Sequence, residues 1–234
     1  MSTTAPQNWR DVYRNIVTMR AGRTAPVDTM GCRRTVDKTA SQMVQRFQCL
    51  VSLMLSSQTR DEVTYAAMMK LREHGLTVEN IVNTSEEKLG QLIYPVGFWR
   101  SKARYLLKTC TVLVEKYGGD IPSNVDELCQ LAGVGPKVAY LVMNIAWDQQ
   151  EGIGVDTYVH RIVGRLGWVD SNECSSPERT RVALEAWLPR DKWDEINWLL
   201  VGFGQEVCLP TGPHCGECLN RDLCPTGRQW NELI

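Results

Sequence analysis

The sequence has no apolar run approaching the roughly 18 residues of a membrane span, and Met1–Arg10 carries no apolar block resembling the core of a secretory signal. Membrane insertion and secretion are not expected. It has almost no net charge: 26 basic against 27 acidic residues leave −1. That argues against a wholesale basic binder of the histone type and leaves room for one local basic face. Strand-like alternation bounded by hairpin turns is missing, as are internal repeats, low-complexity tracts and any Ser- or Gly-rich linker. With 43% hydrophobic and 23% charged residues, the balance is that of an ordinary soluble globular chain, which removes disordered, collagenous and coiled-coil architectures.

What is present reads as all-α. At 234 residues the chain has room for one large domain or two modest ones, at roughly 150 residues each. Helices are predicted over Asn8–Met19, Ser41–Ser56, Arg60–Glu73, a stretch ending near Ile93, Trp99–Tyr117, Pro136–Trp147, Thr157–Leu166, Pro177–Trp187 and Asp191–Val207. Thr59-x-x-Glu62 and Thr84-x-x-Glu87 have the pattern of capping boxes, and Ser123-x-x-Asp126 opens a short helix reaching Leu131. The segment from Ala21 to Thr39 reads as an irregular connector. Ser41–Ser56 is apolar on most sides and is expected to be the central core helix. Arg10, Arg14, Arg20, Arg23, Arg33 and Arg34 give the N-terminal segment a weak transit-peptide character, offset by Asp11, Asp28 and Asp37.

The nine cysteines form two populations. Cys32, Cys49, Cys110, Cys129 and Cys174 lie singly, as small core hydrophobes do in a reducing compartment. Cys208-x6-Cys215-x2-Cys218-x5-Cys224 instead gathers four thiols amid Pro210, Gly212, Pro213 and Gly216. Four soft ligands select zinc or iron–sulfur. Structural zinc usually pairs two short Cys-x2–4-Cys knuckles, and only one is present, which tilts the spacing toward a [4Fe-4S] centre; zinc and idle thiols stay as alternatives.

Leu131-Ala132-Gly133-Val134-Gly135-Pro136-Lys137 joins two helices through a turn whose backbone amides can hold a phosphate without reading sequence. A plain helical hairpin explains the same glycines and proline. Lys137 is harder to explain that way, because a cation at the second helical position opposes the helix dipole. A site that wants this amine neutral gains a nucleophile able to form a Schiff base with a sugar carbon. Further on, Asp156 sits where an N-cap is expected, and capping alone would account for it.

Four blocks, Leu131–Ala139 (LAGVGPKVA), Val155–Arg161 (VDTYVHR), Leu55–Thr59 (LSSQT) and the four-cysteine loop, resemble the endonuclease III family of DNA glycosylases in order and spacing. Pro95–Lys102 (PVGFWRSK) is similar to the eukaryotic branch, and the likeness runs from about Trp9 to Cys224. The resemblance implies an all-α helix–hairpin–helix glycosylase fold. A six-helix barrel over 40–149 would carry the hairpin at about 123–147, and a second lobe of 1–39 and 150–234 would hold a [4Fe-4S] cluster on Cys208, Cys215, Cys218 and Cys224. The active site would lie in the cleft between Lys137, the nucleophile, and Asp156, which assists proton transfer. Gln58 would enter the duplex in place of the extruded base, Phe98 would wedge beside it, and Gly133, Val134 and Gly135 would hold phosphate. The implied activity is a bifunctional DNA glycosylase and AP lyase of base excision repair, a monomer acting on duplex DNA with oxidised pyrimidines or abasic sites. Downstream repair proteins would be further partners, and the address nuclear, with a mitochondrial one besides.

Two departures stand out. Leu209–His214 lacks the several basic residues that bacterial relatives carry between the first two cluster cysteines, and Tyr158 replaces a common histidine. Two alternatives stay beside this reading: a monofunctional mismatch glycosylase, which normally lacks the lysine, and a non-catalytic helix–hairpin–helix DNA-binding module with a structural metal. The run Arg100, Lys102, Arg104 and Lys108 is expected as a solvated face or a phosphate contact.

Overall fold

The computed structural model describes residues 4–170 and 174–231, and every regular element among them is helical. The chain divides into two compact units, Met30–Glu151 and a second built from Met1–Thr29 with Gly152–Ile234.

In the first unit the helix Gln42–Ser56 is the centre. Ser41 opens it by accepting from Val44 N, and its residues from Phe47 to Leu55 are all buried. A helix apolar on every side needs neighbours on every side. They include Pro136–Trp147, through Val138, Ala139, Val142 and Met143, Trp99–Tyr117, through Ala103, Leu106, Cys110 and Leu113, and Asp61–His74. The stretch read as a connector holds two short helices, Pro26–Met30 and Cys32–Thr35. Residues 30–39, placed in the second lobe by the resemblance, pack here instead: Thr35 Oγ1 donates to Ser52 Oγ at 2.9 Å and Asp37 N to Gln48 Oε1 at 2.7 Å. Cys32 and Cys49 are not solitary, for their sulfurs stand 3.5 Å apart.

Caps shift by one residue from several expected places. Ser85, not Thr84, opens Glu86–Ile93 by accepting from Lys88 N, and Asn124, not Ser123, opens Val125–Cys129 by accepting from Glu127 N. Thr59 does not cap Asp61–His74 at all. Thr77 caps an additional helix, Val78–Val82.

The second unit packs Trp9–Met19 against Trp193–Glu206, and that helix against Thr157–Arg165, around Val12, Ile16, Val159, Ile162, Leu200 and Phe203. Arg20, just past the first helix, is fully buried and reaches Asp28 and Glu206 at 2.7 Å each. It occupies the space a side chain at Gly202 would need, since a Cβ there would lie 2.1 Å from Arg20 Nη2. Buried Asn220 donates to Val12 O at 3.1 Å and accepts from Asn15 Nδ2 at 2.9 Å, docking the cysteine-rich segment on the first helix.

Candidate active site and cysteine centre

The first unit carries Lys137 and the wedge candidates. Gly133 has φ +79°, a left-handed backbone that glycine supplies without cost, and a Cβ there would meet Tyr105 Cδ2 at 2.8 Å. Val134 N donates to Leu131 O at 3.1 Å and its side chain is buried, so this residue shapes the turn, while Gly133 is exposed and Gly135 half-buried. Gly135 ends the turn in extended backbone and Pro136 begins the next helix, where its missing N–H costs nothing. Lys137 follows in the first turn, half-exposed.

Gln58 and Phe98 are both exposed and both left-handed, at φ +50° and +56°. Such backbone in a bulky residue costs on the order of 1–3 kcal/mol and persists only where its surroundings impose it. Here the surroundings include Lys102, which is buried and not on a solvated face as its sequence neighbours suggested. Its Nζ donates to Leu55 O at 2.7 Å, Ser57 O at 2.6 Å and Thr59 Oγ1 at 3.3 Å. Burial, and next the charge of Lys137, push the Lys102 amine down to about 8. Arg104 pairs with Glu86 at 3.5 Å, so that face does not lack an acid in space. The signal for Lys102 was available: Lys102, Leu106, Cys110 and Leu113 follow the i, i+4, i+8, i+11 spacing of one buried helix face.

In the second unit Asp156 is the N-cap of Thr157–Arg165, with Val159 N donating to Oδ1 at 2.9 Å. Buried Val155 precedes it, and Ile153 N donates to Glu185 Oε1 at 2.7 Å. Tyr158 packs where a Cβ at Gly204 would come within 2.6 Å, with the Arg161 guanidinium 5.1 Å over its ring.

The four cysteines of the C-terminal loop line one cavity of about 30 Å³, together with Arg165, Phe203 and Asn220. That is about twice the space one water needs. The arginines of Thr157–Arg165 hold its rim, a pair of residues that sequence reading had not assigned. Arg161 Nη2 donates to Cys208 O at 2.8 Å, and Arg165 donates to Leu209 O at 2.6 Å, Pro210 O at 2.8 Å and Cys208 Sγ at 3.4 Å. Burial first, and then the neighbouring cysteines, push Cys215 up with Arg165 opposing, and burial pushes Cys218 up against the backbone hydrogen bond of Asn220. Among the described residues no three His, Cys, Asp or Glu side chains converge closely enough to hold one metal ion, so the sulfurs surround a space instead of a point.

Residues 51–190 match the sequence profile of the HhH-GPD superfamily base excision DNA repair proteins, a span that includes the glycine turn, Lys137 and Asp156. The chain is thus a base excision repair protein of the helix–hairpin–helix class. It is 58% identical over 225 residues to "Endonuclease III-like protein 1" of Gallus gallus, an alignment covering 96% of this chain and 80% of that one. Two solved structures resemble it over 99% of both chains at 27% identity: a non-covalent endonuclease III–DNA complex, with a TM-score of 0.82, and a trapped endonuclease III–DNA covalent intermediate, with 0.81. The chain belongs to the endonuclease III family and is a DNA glycosylase of base excision repair.

Proposed function

We propose that this glycosylase is bifunctional, excising oxidised pyrimidines from duplex DNA and cleaving the strand at the resulting abasic site. The observation that carries the reading is Lys137, an amine in the first turn of the helix that follows a left-handed glycine turn. Its fold also resembles that of an endonuclease III caught covalently on DNA. A base inside a duplex must be flipped out before chemistry, at a cost of a few kcal/mol that damage reduces. Lys137 Nζ then attacks C1′, the C1′–N bond breaks and the base departs with a proton. The Asp156 carboxylate assists that transfer and steadies the positive charge developing on the sugar. Breaking of the C1′–O4′ bond, with a proton delivered to O4′, opens the sugar ring and turns the resulting aminal into a Schiff base, which acidifies the C2′ proton; its removal expels the 3′ phosphate by β-elimination. Amides of Gly133 and Gly135 hold a backbone phosphate, with Val134 shaping the turn. Gln58 fills the vacated position, and Phe98 separates the neighbouring bases.

Cys208, Cys215, Cys218 and Cys224 fit a [4Fe-4S] cluster better than one zinc ion, because four soft donors line one cavity and only one short Cys-x2-Cys knuckle is present. When bound, the cluster supplies cross-linking of the loop; the glycosylase steps run through Lys137 and Asp156. The protein acts as a monomer, in the nucleus and with a mitochondrial fraction, which imaging of the tagged protein checks.

Borohydride trapping on duplex DNA with one thymine glycol tests the chemistry. The intact protein is expected to form a covalent adduct, Lys137→Ala none, and Asp156→Asn far less. Base release without an adduct would make the enzyme monofunctional, and tight binding without base release would make it a binding module.

A further inference from the structure

We propose that Lys102 is a positioning residue that ties the Gln58 turn and the Phe98 turn into a single two-pronged wedge. The inference rests on the assignment of Gln58 and Phe98 to duplex entry.

Gln58 follows the helix Gln42–Ser56, and Phe98 precedes Trp99–Tyr117. The two turns touch through their backbones: a Cβ at Gly97 would lie 2.5 Å from Gln58 O and 3.2 Å from Thr59 Oγ1, so only glycine allows the approach. Gly97 N donates to Thr59 Oγ1 at 3.1 Å, and Thr59 Oγ1 donates to Ser57 O at 3.1 Å. Lys102 N accordingly belongs to one turn, donating to Phe98 O at 3.0 Å, while Lys102 Nζ belongs to the other, reaching Leu55 O, Ser57 O and Thr59 Oγ1. One residue thus holds both prongs.

The chemistry of the contact explains why a buried ammonium is tolerated without a carboxylate. Leu55 O and Ser57 O lie at the C-terminal end of a fifteen-residue helix, where unpaired carbonyls and the negative end of the dipole favour a cation. Capping alone would stop there. The reach to Thr59 Oγ1, which also receives Gly97 N, extends the grip beyond the helix to the point where the two turns meet. Holding two left-handed residues in advance spares the protein their ordering when it enters DNA.

The test uses the full-length chain and a duplex with one tetrahydrofuran abasic analogue opposite 2-aminopurine. It reads the affinity ratio for that duplex over an undamaged one, together with the fluorescence of the unstacked 2-aminopurine. Gln58→Ala/Phe98→Ala is expected to lower both readouts; no change would remove the wedge assignment and the proposal with it. Lys102→Met should lower the ratio about tenfold and dim the fluorescence in the intact background, yet change the ratio less than about twofold when added to Gln58→Ala/Phe98→Ala. An equal loss in both backgrounds would show that Lys102 acts elsewhere and overturn the proposal while leaving the wedge standing. Thr59→Val, which cuts the link between the turns and spares the helix cap, should act in the same direction as Lys102→Met, and decides the matter if Lys102→Met does not fold. An unchanged ratio in Thr59→Val would overturn the proposal.

Discussion

Asp156 closes the first turn of Thr157–Arg165 by accepting from Val159 N, so substitutions there act on the helix and on the chemistry together. The two effects separate by choice of replacement. Asparagine caps a helix about as well as aspartate, whereas alanine forfeits about 1 kcal/mol. Asp156→Asn should therefore keep the melting temperature within about 1 °C, and Asp156→Ala should lower it by about 2–4 °C, as 1 kcal/mol does in a chain of this size. Both should lose base excision by about 100-fold or more, the scale of a lost proton-transfer group. Calorimetry beside single-turnover kinetics reads the pair. If Asp156→Asn were fully active, the residue would be a cap and nothing else.

At the level of elements, the helices with strong apolar faces could be read from the sequence, and so could the motif that carries Lys137. Ser41–Ser56 and Pro136–Trp147 were placed to within a residue, because a cap or a proline and a broad apolar face agree there. The misplacements have one physical source: a side chain has several possible partners, and only tertiary contact chooses among them. Thr59 meets the pattern of a capping box but spends its hydroxyl on Gly97 and Lys102, and Lys102 looks solvated in its charge run but points inward. Gly202 illustrates the same point energetically. Glycine to alanine inside a helix normally gains about 1 kcal/mol. Here the new Cβ meets a guanidinium whose usual flexibility is removed by Asp28 and Glu206. Displacing one partner of a buried ion pair costs on the order of 3–5 kcal/mol, which outweighs the propensity gain. Gly202→Ala should therefore shift the denaturant midpoint downward with an unchanged slope. A rise in the midpoint would show that Arg20 relocates without loss.

Over the whole molecule, the chain builds two cores from three stretches, and the cysteine loop is anchored within one of them. Met30–Glu151 closes around Gln42–Ser56, and the other unit around Trp9–Met19 and Trp193–Glu206. The loop hangs from Arg161 and Arg165 and from Asn220, all within the second unit. Burial pushes the Cys215 and Cys218 thiols up, so ligation must displace their protons, and because the cluster's ligands all come from this loop, binding of the proposed cluster is local folding energy for that segment. Oxidising and chelating the cluster out of the intact chain, followed by hydrogen exchange, should expose 208–224 and the arginine-bearing end of Thr157–Arg165. Protection in Gln42–Ser56 and Pro136–Trp147 should stay within about 1 kcal/mol of its starting value, since local opening follows cooperative units and their contacts lie in the other core. Uniform loss across both units would mean that the cores unfold as one. Unchanged exchange in 208–224 would mean that the arginine and asparagine anchors hold the loop unaided, and the cysteines would then have to be explained by what the cluster does while the enzyme is on DNA.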